Sequence, residues 1–255
     1  MQGNMAGNRP ASRMEPREIV SSPKGLALIA GLLYLAVAVF GGFAEGFVEP
    51  RMYVAGDAAA TAGNVVANSG LIRLGVVSDL LDQTLFVFLA LSLYILLRHV
   101  HHSAARAMVL LVVLAAGIGS LNTLFEFEGL RVTSDTSFEA FGIGGSNALV
   151  LLLLDAQHYG LLIAQIFFGL WLVPLGYLAY KSAGMFPRWL GVLLVVGAVC
   201  YLADVLAAFL VPDLGSAIHG YVTIPSAVAE ISMVLYLLVL GVRAPSPTHR
   251  APIAA

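Results

Sequence analysis

Six apolar stretches, each close to 20 residues long, constrain this chain more than any other feature of its sequence. A helix rises about 1.5 Å per residue, so roughly 20 apolar residues cross the hydrocarbon core of a bilayer. Of the 255 residues, 59% are hydrophobic and 11% are charged, which is far from the composition of a soluble domain. We therefore predict an all-α fold, a polytopic membrane helix bundle over residues 24–243 with about six transmembrane helices. Its spans are expected near residues 26–43, 74–97, 107–125, 156–180, 189–211 and 221–242.

The positive charges indicate how the bundle is oriented. Only Arg51, Arg73 and Arg131 fall on one side of the predicted spans, and the other lysines and arginines fall on the opposite side. Cytoplasmic loops carry the excess of such residues. Both termini are therefore predicted to be cytoplasmic, in a plasma (inner) membrane, and the polar tails 1–23 and 244–255 are expected to be disordered. The sequence indicates the lipid bilayer as a partner and no nucleic acid, and it leaves the oligomeric state open.

Polar side chains recur at one depth in the predicted spans. Counted from the basic flank of each span, they lie roughly 20 to 28 Å deep, which is the outer half of the membrane. A charge inside the hydrocarbon costs at least about 2.5 kcal/mol, so we expect these groups to face the bundle interior. We predict that they line one ligand-binding cavity open to the extracytoplasmic side. Its candidate residues are Asp79, Asp82, Asn122, Gln165, Asp204 and Glu230, with His158 at the outer interface.

A structural interpretation competes with this one. Polar groups in membrane bundles also form hydrogen bonds between helices, and near the interface they reach the lipid headgroups. For Glu45, Glu126, Asp155 and His158 this reading is as good as the functional one.

Two classes of function fit an acidic cavity. The first is binding of a cation or a small polar or cationic ligand, in a transport, sensing or accessory role. Asp79, Asp82, Asp204 and Glu230 offer the oxygen ligands that a hard divalent cation prefers, so they are the candidate metal ligands. The alternative is an intramembrane enzyme, dependent on carboxylates or on a hard metal and acting on a lipid or an extracytoplasmic small molecule. It would use Asp82, Asp204 and Glu230 with His158 as acids and bases.

The segment GDAAATAGNVVAN, residues 56–68, lies in the first of the long outward connections, which are expected at 44–72 and 126–146, with a shorter one at 212–220. It predicts a helix over 57–69 that is too short to span a membrane, with Asp57 as its N-cap. Asp57, Thr61, Asn64 and Asn68 follow helical spacing and form one polar face. We predict that this helix is a lid whose polar face covers the acids.

The order of several motifs resembles a bacterial membrane family known as domain of unknown function 4386. The most specific are GDAAATAGN and the P-x-G-Y-L-x-x-K-S stretch, and they are accompanied by LLYLAVAVFGGFAE, LIRLGVVSDLLDQ and LSLYILLR. The resemblance extends from about Gly25 to Val242. It implies a polytopic bacterial inner-membrane protein and brings no established substrate.

Overall fold

The computed structural model describes residues 22–242, and this part of the chain is helical and contains no β-strand. All of its helices except α2 are long and apolar enough to cross a membrane, so the predicted fold class is confirmed. The predicted tails fall outside the described residues, except that Ser22 and Pro23 begin the first helix. The helices are α1 (Pro23–Phe43), α2 (Ala58–Ala67), α3 (Ser69–Leu97), α4 (His102–Ser134), α5 (Gly142–Lys181), α6 (Arg188–Leu210) and α7 (Pro212–Leu235).

Short irregular helices extend or join these elements. A π-helical turn, Ala44–Val48, and one α-helical turn, Glu49–Met52, continue α1. A 3-10 helix, Thr136–Phe141, joins α4 to α5, and a π-helical turn, Tyr236–Leu240, continues α7.

The spans follow one another around the bundle, so that each packs mainly against its neighbours in the chain. The exception is the junction of the first and last spans, α1 and α7, which pack against each other less extensively than the other neighbouring pairs. At that junction α1 meets the π-turn after α7, where a Cβ on Gly31 would lie 2.9 Å from Leu238 Cδ2. The ring of spans is therefore closed by a smaller contact between its first and last members than between the other neighbours.

Two apolar clusters occupy opposite ends of the bundle. The larger cluster fills the end that carries Arg98, Lys181 and Arg188, which we call the basic end, and includes the fully buried Leu97 and Leu190. The smaller cluster lies at the opposite end. It is formed by Val48, Met52, Ala62, Val65, Ile72, Leu130, Val132, Val150 and Leu154.

The smaller cluster explains why the outward connections are not loops. Residues 126–134 continue α4, residues 142–146 begin α5, and residues 212–220 begin α7. Helix α5 has 40 residues and is thus about 60 Å long, twice the thickness of a hydrocarbon core. The expectation of long loops was wrong, because hydropathy marks only the membrane-crossing part of each helix and the apolar residues beyond it pack against one another.

Glycines permit a close crossing of α5 and α6. A Cβ placed on Gly176 of α5 would lie 2.6 Å from the Gly191 carbonyl oxygen of α6, and a Cβ on Gly191 would lie equally close to the Gly176 oxygen. Small residues allow such backbone contact between spans, where dispersion forces rather than hydrophobic burial drive association.

We expect Gly191→Ala to separate α5 from α6 and to lower the free energy of unfolding by about 1 to 3 kcal/mol, the usual effect of overpacking. Thermal unfolding of the purified protein in detergent measures this change. Gly117→Ala is the matched control, since Gly117 is exposed in mid-helix with nothing within 4 Å of an added Cβ. A loss of stability in the control equal to that of Gly191→Ala would contradict the close crossing.

Candidate functional site

A layer of polar side chains lies between the two apolar clusters. In α3, Asp79 and Asp82 fall between Ile72 of the smaller cluster and Phe86 of the larger one, and α1, α4 and α5 follow the same order, whereas α6 and α7 contribute to the larger cluster alone. We call this set the polar layer. Its members are Glu45, Asp79, Asp82, Gln83, Asn122, Glu126, Gln157, Gln165, Tyr201, Asp204 and Glu230.

Part of the polar layer surrounds a cavity of about 210 Å³, here called the central cavity. Three of the predicted site residues, Asp82, Gln165 and Glu230, line it together with Glu45 and Tyr201. The remaining wall is formed by small and apolar residues, namely Val37, Ala38, Gly41, Gly42, Leu161 and Phe168. Five spans, α1, α3, α5, α6 and α7, therefore contribute to one site.

Two phenol groups hold Glu230 in place. Tyr34 of α1 donates a hydrogen bond of 3.0 Å to Oε2, and Tyr201 of α6 donates one of 2.9 Å to Oε1. Each carboxylate oxygen thus has a donor from a different span, and hydrogen bonds to a charged acceptor are about twice as strong as neutral ones. This arrangement fixes Glu230 and joins α7 to α1 and α6.

Asp204 is the most completely satisfied carboxylate of the polar layer. It is 1% exposed, and Gln165 Nε2 donates a 2.8 Å hydrogen bond to its Oδ2. His219 Nδ1 lies 3.0 Å from both carboxylate oxygens. Because Gln165 also lines the central cavity, Asp204 stands one hydrogen bond away from it.

Asp82 differs from both of these carboxylates. Its Oδ2 accepts a 3.0 Å hydrogen bond from Gln83, but its buried Oδ1 has no partner within residues 22–242. The side chain is 5% exposed, and Gly41 of α1 leaves room beside it, since a Cβ there would lie 3.4 Å from Oδ1. A buried carboxylate oxygen without a donor is costly, so Asp82 is the member of the cavity wall most in need of a partner.

Glu45 reaches the cavity from a distorted part of the first span. Pro50 has no amide hydrogen and its ring would clash with the carbonyl of Gly46, so a regular helix cannot continue through it. The chain responds with the π-turn at 44–48, in which the Glu49 amide donates to the Ala44 carbonyl five residues earlier. Such single turns often occur at functional sites. Here the turn places the exposed Glu45 at the edge of the cavity.

The other predicted site residues lie apart from the central cavity. The carboxyl groups of Asp79 and Glu126 are close enough to share a hydrogen bond where α3 meets α4. Asn122 donates a 2.6 Å hydrogen bond to the Gln157 carbonyl and packs against Gly160 of α5. The prediction of one cavity lined by all of these residues was therefore wrong for Asp79 and Asn122, because their side chains join neighbouring helices.

His158 also lies elsewhere, in a small polar cluster toward the end of the bundle opposite the basic end. Its Nδ1 is 2.9 Å from Glu49, and its ring stacks on Tyr53 with centroids 5.3 Å apart. Tyr53 donates a 2.6 Å hydrogen bond to Asp155. Burial, followed by this hydrogen bond, raises the pKa of Tyr53 well above its usual range, so the phenol remains a donor. The placement of His158 with the cavity acids was wrong.

The candidate metal ligands do not converge either. Within residues 22–242, no three His, Cys, Asp or Glu side chains form a group able to hold a metal ion. Asp79, Asp82, Asp204 and Glu230 face different partners, as described above. The expectation that these four carboxylates surround one hard cation is corrected accordingly.

The polar side chains of helix α2, the predicted lid, bond to nearby backbone groups rather than to the cavity acids. Asp57 caps it by accepting a 2.9 Å hydrogen bond from the Ala60 amide, but Thr61 is fully buried and bonds to the Val54 backbone. Asn68 donates to the carbonyls of Arg51 and Asn64. The polar side chains thus satisfy local backbone groups, while Ala62 and Val65 pack into the smaller apolar cluster. Among the described residues that line the central cavity, none comes from α2.

Sequence reasoning missed Tyr34 and His219, which falls in the connection that was expected at 212–220. Tyr34 sits in a strongly apolar run, and its only signal is that a buried tyrosine hydroxyl needs an acceptor. His219 lies on α7, four residues before Thr223, so the two side chains share one face of the helix. This spacing identifies His219 as part of the polar face only if the helix is taken to begin at Pro212, well before the predicted span.

Six long apolar helices with a polar layer buried between apolar clusters define a polytopic integral membrane protein. Comparison with protein families identifies the family to which the chain belongs. The family model of the domain of unknown function DUF4386 matches residues 29–241, and the chain belongs to this family. No curated protein and no solved structure matches the chain.

We expect Tyr34→Phe and Tyr201→Phe each to lower the free energy of unfolding by about 1.5 to 3 kcal/mol, because each leaves one Glu230 oxygen without its donor. Thermal unfolding with and without Glu230→Gln measures the coupling, and in that background each tyrosine change should have a smaller effect. Tyr221→Phe is the control, since Tyr221 is 77% exposed. Equal effects with and without Glu230→Gln would contradict the described hydrogen bonds.

Proposed function

We propose that the central cavity is an acidic cavity that binds a cation or a small cationic ligand, in a transport, sensing or accessory role. The observation that carries this proposal is that Oδ1 of Asp82 has no hydrogen-bond partner within residues 22–242. Asp82 lines the cavity and is only 5% exposed. A bound cation or an N–H donor would satisfy this oxygen.

The balance of charge in the polar layer supports a cationic ligand. The layer holds six carboxyl groups, those of Glu45, Asp79, Asp82, Glu126, Asp204 and Glu230. Across residues 22–242, ion pairs that involve Lys or Arg occur at Arg131 alone, outside this layer. His219 is the cationic partner of Asp204 when it is protonated. Glu45, Asp82 and Glu230, the three acids of the cavity wall, form no ion pair within residues 22–242, and a cation in the cavity would supply their counter-charge.

The size of the cavity limits the ligand. Sites for drug-sized molecules enclose about 300 to 1,000 Å³, and a water molecule takes up about 30 Å³. The 210 Å³ of the central cavity therefore suits a hydrated inorganic ion or a small amine better than a large organic molecule.

The fold favours access from one side. The larger apolar cluster closes the basic end, whereas Gly42 and Glu45 of the cavity wall are exposed. We propose that the basic end faces the cytoplasm of a bacterium, with both termini on that side of the plasma (inner) membrane. The ligand then reaches the cavity from the extracytoplasmic half, and this conformation favours a binding or sensing step over an open pathway.

Thermal unfolding in the presence of small cations tests the proposal. The probes are the chlorides of sodium, magnesium, calcium, methylammonium and choline, compared at equal ionic strength with N-methylglucamine chloride. At about 100 times its dissociation constant a ligand stabilises the folded state by about 2.7 kcal/mol, so we expect a rise of several degrees in Tm with at least one probe. Asp82→Asn should abolish that rise.

Glu139→Gln is the matched control, because Glu139 is exposed outside the polar layer, and it should keep the full shift. If no probe raises the Tm of the protein, or if the rise survives Asp82→Asn, the proposed binding site is wrong.

One observation favours the enzymatic alternative. Asp204 holds Nδ1 of His219, whose side chain is 57% exposed, and this leaves Nε2 of the imidazole available as a general base. His219 would then take the role that the sequence assigned to His158. Under this alternative, incubation with membrane lipids gives products detectable by mass spectrometry, and His219→Gln abolishes them while a cation-dependent shift in Tm persists.

A further inference from the structure

A second cavity, of about 960 Å³, lies at the basic end between the α5–α6 connection and the end of α7, and we call it the basic-end pocket. Lys181 ends α5 and Arg188 begins α6, and both side chains line the pocket and are exposed. In the part of the chain that the structure describes, neither forms an ion pair. Two unpaired cations therefore face one space.

The connection that separates these cations is held by buried anchors. Ser182 Oγ donates a 2.7 Å hydrogen bond to the Ala179 carbonyl and accepts one of 3.0 Å from the Phe186 amide. Tyr236 donates a 3.1 Å hydrogen bond to the Met185 carbonyl, and Met185 and Phe186 are each 2% exposed. The spacing of Lys181 and Arg188 is thus set by the fold.

The start of α6 adds to the positive potential of the pocket. Pro187 is its N-cap and provides no side-chain hydrogen bond, so amides of the first turn remain without a capping acceptor. The N-terminus of a helix carries a partial positive charge of about half an elementary unit. An anionic group between Lys181 and Arg188 would meet this terminus as well.

Aromatic residues place the pocket at the membrane surface. Trp189 is 58% exposed and Tyr180 is 41% exposed, and both line the pocket where two spans end. The Arg188 guanidinium lies 5.5 Å from the Tyr180 ring centroid. Tryptophan and tyrosine concentrate at the level of lipid headgroups, where basic pockets between spans bind anionic lipids.

We propose that the basic-end pocket binds a phosphate-bearing anion, and that this anion is the headgroup of an anionic phospholipid. The size of the pocket favours the lipid over free phosphate, because its volume equals that of about thirty water molecules, at about 30 Å³ each. One phosphate would occupy a small part of this space, and the glycerol and headgroup of a lipid would fill more of it.

Fluorescence quenching in vesicles tests this assignment, with Trp189 as a reporter inside the pocket and Trp171, which is 1% exposed, as a nearly constant background. The protein is reconstituted in dioleoylphosphatidylcholine with increasing amounts of brominated phosphatidylglycerol or, in parallel, brominated phosphatidylcholine. We expect tighter binding of phosphatidylglycerol, and each of Lys181→Gln and Arg188→Gln should reduce that preference about fivefold, from about 1 kcal/mol for each basic residue.

The control is the pair Arg98→Gln and Arg106→Gln, which removes two exposed charges from the same end and should leave the preference unchanged. Inorganic phosphate, added to phosphatidylcholine vesicles, distinguishes the two sources of the anion. If phosphatidylglycerol is not preferred, if the control lowers the preference as much as the pocket variants do, or if phosphate alone competes fully at millimolar concentration, the lipid assignment is overturned.

Discussion

Burying carboxyl groups inside a membrane-spanning bundle is the constraint on which the rest of this structure depends. Each charge placed in the hydrocarbon costs at least about 2.5 kcal/mol, and the polar layer contains four buried carboxyl groups, those of Asp79, Asp82, Glu126 and Asp204, with Glu230 half-buried beside them. The cost is reduced only where donors reach them. Tyr34 and Tyr201 surround Glu230, and Gln165 and His219 surround Asp204. The bond from Tyr34 joins the first span to the last, and the others join α5 to α6 and α6 to α7, so the polar layer also helps to determine how the spans are arranged.

The distortions in the bundle follow from the same constraint. The π-turn before Pro50 places Glu45 beside the cavity, and small residues leave room for polar side chains from neighbouring helices. Gly119 is one example, since a Cβ there would lie 2.6 Å from Cδ of Gln83. The apolar clusters on either side exclude water from most of the layer, so the carboxylate that lacks a donor, Asp82, is the member that a ligand would stabilise most.

The number of apolar spans and the position of the acids along them could be predicted from the sequence, because both depend only on length, composition and helical rise. Which acids meet could not, since that depends on how each helix is rotated. Asp79 and Asp82 are three residues apart and share a broad face, yet Asp79 contacts Glu126 and Asp82 lines the cavity. His158 and Gln165 share a face but are separated by about 10 Å along α5. The orientation of α2 was also beyond the sequence, because it depends on the bond between Thr61 and the Val54 backbone.

The most direct test asks whether a small cation reaches the central cavity more readily than an anion of similar size. Gly42 lines the cavity with nothing within 4 Å of an added Cβ, so Gly42→Cys introduces a thiol there once the single native cysteine is removed by Cys200→Ser. Two thiol reagents are added outside intact cells, the cationic trimethylammonium-ethyl methanethiosulfonate and the anionic sulfonatoethyl methanethiosulfonate. The reference is Val66→Cys on α2, where Val66 is 61% exposed. An acidic cavity predicts a ratio of cationic to anionic reaction rates roughly tenfold higher at position 42 than at position 66, from about 1.4 kcal/mol of attraction. Equal ratios at the two positions, or no reaction at position 42 with either reagent, would contradict it.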